Sequence, residues 1–140
     1  ILPVDYVTGC GMLVRREVFS TIGLFDTDYF MYYEDADFCR RARQTGFSIV
    51  CVPAARMWHK VSRSTCRDIS YQRYLRIRYR VQFYRRYYSP LALIYLIMSV
   101  MWTALTDMLK GHREAMWSCV RGFYHGWTGV DKNPVEEGRR

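Results

Sequence analysis

The chain is 140 residues long and half hydrophobic, enough for one domain with a moderate core. Its five cysteines (Cys10, Cys39, Cys51, Cys66 and Cys119) are odd in number, widely spread and hold no Cys-x-x-Cys pair, so neither a zinc knuckle nor a disulfide framework is suggested and a reduced, cytosolic setting fits best. The formal charge of +8 rests on 18 Arg and 3 Lys against 13 acidic side chains, and nine of the cations lie between Lys60 and Arg86 beside the single acid Asp68, so phosphates or an anionic membrane surface are the expected partners.

The start at Ile1 has neither an initiator Met nor the basic-then-apolar pattern of a signal peptide, and the polar tail 131–140 reads as the end of a piece of a larger protein. Tyr6 to Val14 is expected as a buried strand, with Gly9 and Gly11 where something approaches the backbone closely. Arg15 to Thr21 follows as a short helix, closed at Gly23 by a left-handed cap. Aromatic residues (Phe25, Tyr29, Phe30, Tyr32, Tyr33) then lead into Glu34-Asp35, where a second helix is predicted over Asp35 to Thr45 and ends at Gly46. Phe38 and Ala42 share one of its faces, and Arg40, Arg41 and Arg43 are expected to meet water or phosphate. Phe47 to Val52 is β-rich and is stopped by Pro53, so the first 60 residues alternate strand and helix as a piece of an α/β domain.

From Ile69 to Tyr88, tyrosines and arginines recur at helical spacing, with the arginines able to snorkel at an interface. Pro90 introduces the apolar run Leu91 to Leu105, which Thr106 and Asp107 end short of the roughly 20 residues a spanning helix needs. A basic aromatic helix before a short apolar one predicts a segment lying in or on a membrane surface, with Trp102 and the tyrosines at headgroup level. Two helices packed on a partner domain fit the same pattern. The expected organisation is a first domain over 1–62, C-terminal helices over 63–130 and the tail 131–140.

The acidic pair carries the chemistry. Carboxylates at a helix start inside an aromatic wall are partly desolvated, so their pKa values can be tuned for proton transfer. Capping the helix and complementing its positive end would ask for the same residues. Asp26-Thr27-Asp28 has the spelling of an Asp-x-Asp metal motif, but Asp26 is expected to fix the turn after Gly23.

Taken in order, Thr8-Gly9-Cys10-Gly11-Met12-Leu13-Val14-Arg15-Arg16, Gly23-Leu24-Phe25-Asp26, Phe30, Glu34-Asp35-Ala36-Asp37, Arg40 or Arg41, Gly46 and Trp58-His59 resemble the second half of family 2 glycosyltransferases, nearest the bacterial branch with rhamnosyl- and galactofuranosyltransferases. The resemblance implies the C-terminal, acceptor-side part of a GT-A, Rossmann-like catalytic domain, followed by a mainly helical segment. It also implies inverting transfer of a sugar from a nucleotide-diphosphate donor to a hydroxyl of a cell-surface polysaccharide or lipid-linked acceptor, with a divalent cation, Mn or Mg. Such transfer needs a base for the hydroxyl proton and positive charge for the departing diphosphate.

By the same resemblance the base is Asp35, though in some members the first acid of the pair, here Glu34, serves. Asp37 is assigned a supporting role. His59 matches a histidine that in some relatives completes the metal site. Gly9, Gly11 and Met12 are assigned to the donor pocket, where tight strand packing is the alternative reading. Lys60, Arg63 and Arg67 are assigned to a loop closing over the diphosphate. Arg78 matches a position kept basic and usually followed by Asn, where Tyr79 stands here. The nucleotide-binding half would precede Ile1, so this chain alone is not expected to turn over. The expected location is the inner face of the cell membrane, peripheral and cytoplasmic, with homo-oligomerisation left open. Against this stand a non-catalytic module that binds membrane or nucleic acid through its arginines and a pseudoenzyme fragment; nucleic acid is disfavoured by the apolar run after Pro90.

Overall fold

The computed structural model describes residues 1–59 and 68–130. Contacts divide the chain into Ile1–Val61 and Ser62–Arg140.

In the first unit, β1 (Leu2–Pro3) and β2 (Val50–Cys51) pair antiparallel, with Leu2 opposite Cys51 and Pro3 opposite Val50. Between them lie α1 (Arg16–Ile22) and α2 (Glu34–Gln44). Val18 of α1 packs on Phe38 and Ala42 of α2, and Met12, Val14, Phe19, Ile22, Phe47 and Ile49 close around them. The four-residue spacing of Phe38 and Ala42 places both on the buried face, and Phe25 stacks on Phe38 with ring centroids 4.6 Å apart.

Three expectations are corrected here. Tyr6 to Val14 is not a strand: it holds one turn of 3₁₀ helix at Gly9–Gly11 within otherwise extended chain. Among the described residues the sole ladder is β1–β2, so this segment has no strand to pair with, and Met12 and Val14 turn onto the helical core instead. Gly23 closes α1 by donating its N–H to the Phe19 carbonyl at 3.0 Å, but its φ of 77° comes with an extended ψ of −169°, not with left-handed helical backbone. Arg41 faces inward: its guanidinium bonds the fully buried Asp37 carboxylate at 2.7 Å and donates to the carbonyls of Ile22 and Leu24. It thereby serves carbonyls at the end of α1 that have no helical partner.

Among its described residues the second unit holds three helices, α3 (Ile69–Tyr87), α4 (Pro90–Leu109) and α5 (Arg113–Thr128). Asp68 caps α3 by accepting the Tyr71 N–H at 2.9 Å, and Pro90 opens α4, where its missing N–H costs nothing. Ile77 and Val81 of α3, Leu96 and Val100 of α4 and Cys119 of α5 form the core.

Two polar contacts set an antiparallel register for α3 and α4: Arg73 pairs with Asp107 at 2.9 Å, and Arg80 donates to Ser99 Oγ at 2.9 Å. Helix α5 returns parallel to α3. A Cβ at Gly122 would lie 2.7 Å from the Tyr74 carbonyl oxygen, and one at Gly126 would overlap that of Arg78, so the two backbones touch through bare glycine.

The apolar helix runs four residues past Leu105, to a length of 20. Thr103 and Thr106 return their hydroxyls to the carbonyls of Ser99 and Thr103, at 2.8 Å each, and so remain compatible with helix. Asp107 is buried against Arg73 and accepts from the Cys119 thiol at 3.8 Å. The arginines of this stretch, expected to snorkel at an interface, therefore divide. Arg73 and Arg80 tie helices together, and Arg78 is buried, donating to the Tyr74 hydroxyl, which in turn meets His125 Nδ1 at 2.8 Å.

Candidate functional site

The glycine turn and the acidic pair meet. Asp35 Oδ2 accepts the Gly9 N–H at 2.9 Å, and its Oδ1 accepts the Ala36 N–H at 2.8 Å. Both oxygens are thus held by main chain, which fixes the carboxylate against the start of α2. A Cβ at Gly9 would reach ordinary van der Waals contact with Asp35, whereas one at Gly11 would overlap the thioether of Met57. The turn Gly9–Gly11 therefore receives the acidic pair on one side and the segment leading to Trp58-His59 on the other.

Helix α2 begins one residue earlier than predicted, at Glu34, so Asp35 is not its cap. The cap is Tyr33, with φ 70°, ψ −8° and no side-chain hydrogen bond to the helix, and Tyr32 before it also has φ 69°. Two successive non-glycine residues in the left-handed region cost on the order of 1–2 kcal/mol each, and strain of this kind concentrates at functional sites. Glu34, Asp35 and Asp37 place three carboxylates in the first turn, where the helix dipole favours them.

The two acids of the pair differ. Glu34 Oε2 is buried with no hydrogen-bond partner among the described residues. Burial pushes the Glu34 carboxyl above the usual carboxylate range, an N–H of its own backbone pulls it partly back, and the Asp35 charge adds to the rise. A carboxyl so placed is a better proton acceptor near neutral pH than an ordinary glutamate.

Residues 3–128 match the family described as "Glycosyl transferase family group 2". The chain belongs to this family. It is 44% identical over 66 residues to an N-acetylglucosaminyl-diphospho-decaprenol L-rhamnosyltransferase of Mycobacterium tuberculosis, covering 47% of this chain and 22% of that protein. It is 43% identical over 56 residues to rhamnosyltransferase WbbL of Escherichia coli, covering 40% and 21%, and 37% identical over 79 residues to the low-salt glycan biosynthesis hexosyltransferase Agl10 of Haloferax volcanii, covering 56% and 26%. The chain thus spans about a fifth to a quarter of the length of these relatives. No solved structure matches.

Membership in glycosyl transferase family group 2 carries the GT-A fold with it, of which the first unit shows two short strands and two helices. Within this family member the predicted site residues separate. Glu34, Asp35 and Gly9 come together, and Gly11 contacts the Met57 segment. Met12 packs on the core of α1 and α2, and Asp37 is bound to Arg41. His59 is exposed at the edge of the described residues, and among those residues no three His, Cys, Asp or Glu side chains converge to hold a metal ion. Asp26 fixes a turn, its Oδ1 accepting the Asp28 N–H at 2.9 Å, as expected of it. Lys60, Arg63 and Arg67 lie outside the described residues. Arg78 belongs to the buried chain of contacts in the second unit.

Sequence reading missed the left-handed Tyr32-Tyr33 pair, because no glycine or asparagine marks it. It also missed Gly122-x-x-x-Gly126, a spacing that was legible as a close helix contact.

Proposed function

We propose that this chain is the acceptor-side part of an inverting glycosyltransferase that moves a sugar from a nucleotide-diphosphate donor to a hydroxyl of a saccharide or lipid-linked acceptor, at the cytoplasmic face of a membrane. The observation that carries the reading is the hold of the Gly9 amide on Asp35, beside the desolvated Glu34, in a chain of glycosyl transferase family group 2. The names of the relatives, two rhamnosyltransferases and a hexosyltransferase, favour a hexose or deoxyhexose as the sugar.

In this reading Asp35 removes the proton of the acceptor hydroxyl as its oxygen attacks the anomeric carbon. The bond from that carbon to the diphosphate oxygen breaks, the diphosphate leaves with the electron pair, and the configuration inverts. The two backbone donors keep the Asp35 carboxylate from rotating, so the base is already oriented when acceptor arrives. Lys60 and Arg63 supply charge to the leaving diphosphate, and a Mn or Mg ion bound to that diphosphate would neutralise it further. His59, exposed near the end of the first unit, is the residue of this chain that would hold such an ion.

Glu34 is the second reading for the base, favoured by its raised carboxyl. The deciding experiment is sugar transfer by the full-length polypeptide with Mn or Mg, comparing Asp35→Asn and Glu34→Gln. Asp35→Asn is expected to lower kcat by about 10²–10⁴ with donor binding kept. The same loss in Glu34→Gln alone would move the base to Glu34, and unchanged turnover in both variants would remove the pair from the mechanism.

A further inference from the structure

Helix α4 has one covered face and one bare one. Leu96, Val100 and Asp107 are buried within the three-helix unit. Ile94, Tyr95, Met98, Met101, Trp102 and Leu105 recur at helical spacing on the other face and are exposed, Met98 by 65% and Trp102 by 69%. At ~1.5 Å per residue this bare stripe runs the length of a helix about 30 Å long. An exposed apolar face of that size on a folded unit calls for a partner.

By length and composition alone α4 could cross a bilayer. Its attachment to α3 argues against that placement. The Arg73–Asp107 and Arg80–Ser99 contacts and the packing of Ile77 and Val81 with Leu96 and Val100 hold the two helices side by side, so whatever depth α4 takes, α3 takes beside it. Helix α3 also carries Arg76, Arg85 and Arg86, all exposed, and guanidinium groups in the hydrocarbon centre are strongly unfavourable. The same charges suit an orientation in which α4 lies flat. Arg86 sits just before its start and Lys110 and Arg113 just after its end, all three exposed, while Arg85 is held by the Gly126 and Trp127 carbonyls, so cations flank both ends of the apolar stripe, as a headgroup layer would ask.

We propose that α4 is an in-plane membrane anchor: its bare face inserts about 5–10 Å into the headgroup–acyl boundary of an anionic bilayer while α3 and α5 stay above it. The inference rests on the three-helix unit alone and stands whether or not the glycosyl-transfer reading does.

The test is binding of the full chain to vesicles of phosphatidylcholine with phosphatidylglycerol, read by tryptophan quenching with lipids brominated either near the headgroup or near the chain end. The portion of quenching that Trp102→Phe removes reports on α4. Headgroup-proximal bromine is expected to quench that portion more strongly, because in-plane insertion keeps Trp102 shallow; stronger quenching from the chain ends would mean that α4 spans and would overturn the proposal. Met98→Glu, a change at an exposed position, is expected to weaken partitioning about tenfold or more, and unchanged partitioning would count against the anchor. Binding should survive in part at ~1 M salt, where charge alone is screened. Failure to bind vesicles, together with concentration-dependent dimers, would assign the bare face to a second copy of the chain and overturn the proposal too.

Discussion

Glu34 and Asp35 are adjacent in sequence but differently solvated, and stability against pH reads the difference. The Glu34 carboxyl is raised chiefly by burial, so its neutral form suits the folded state and its ionised form does not. The favourable contribution is therefore complete below the ordinary glutamate pKa of about 4.3 and is lost as pH rises through the raised folded-state value. Urea unfolding of the wild type against Glu34→Gln should show the wild type losing stability relative to the variant across that rise, with the two curves parallel below it. Parallel curves at every pH would mean that Glu34 is not desolvated. The pair stood out in the sequence as acids after aromatics at a helix start, a pattern that capping and the helix dipole also ask for. Arg41 was not legible as a structural residue, since only the fold brings the Ile22 and Leu24 carbonyls to its guanidinium.

Helix α5 depends on two residues that have no side chain. Alanine is a better helix former than glycine by ~1 kcal/mol, so propensity alone predicts that Gly126→Ala stabilises. The clash with the Arg78 carbonyl and the close approach of Val81 predict the reverse, because backbone cannot swing aside as a side chain can. Overpacking of this kind costs typically 1–3 kcal/mol, and a net loss of stability in urea titration is expected. A stabilised Gly126→Ala would show that α5 does not press on α3 as described. Helices α1, α2 and α3 were legible to within a residue or two from spacing and caps. The end of α4 was hidden, because Thr106 and Asp107 look like terminators until Arg73 neutralises the acid from a neighbouring helix. Burial raises the Cys119 thiol to about 11, which keeps it protonated as a donor to Asp107 and away from thiolate chemistry.

Over the whole chain, the alternation of strand and helix expected for the first 60 residues is present as helices with only two short strands. The reason is cooperative: a strand is defined by its partners, and β1 offers β2 just two residues to pair with. The apolar and aromatic content of Tyr6 to Val14 could be read from the sequence, but not whether anything would lie alongside it. Helices carry their hydrogen bonds within themselves, and for that reason α3 and the start of α4 were readable from spacing, whereas α5 was not singled out.

The α3–α4 hairpin closes through only Tyr88 and Ser89, so its contacts are local and belong among the early events of folding. Helix α5 docks onto α3 across a far longer stretch of chain, yet its arrival leaves the outer side of α4 uncovered. Folding in plain buffer thus finishes with the sticky stripe still in water, and chaperone-assisted expression would not cure the resulting self-association, because the finished state itself is the adhesive one. Light scattering should find the purified chain polydisperse in buffer and monodisperse once a mild detergent or lipid nanodisc is supplied.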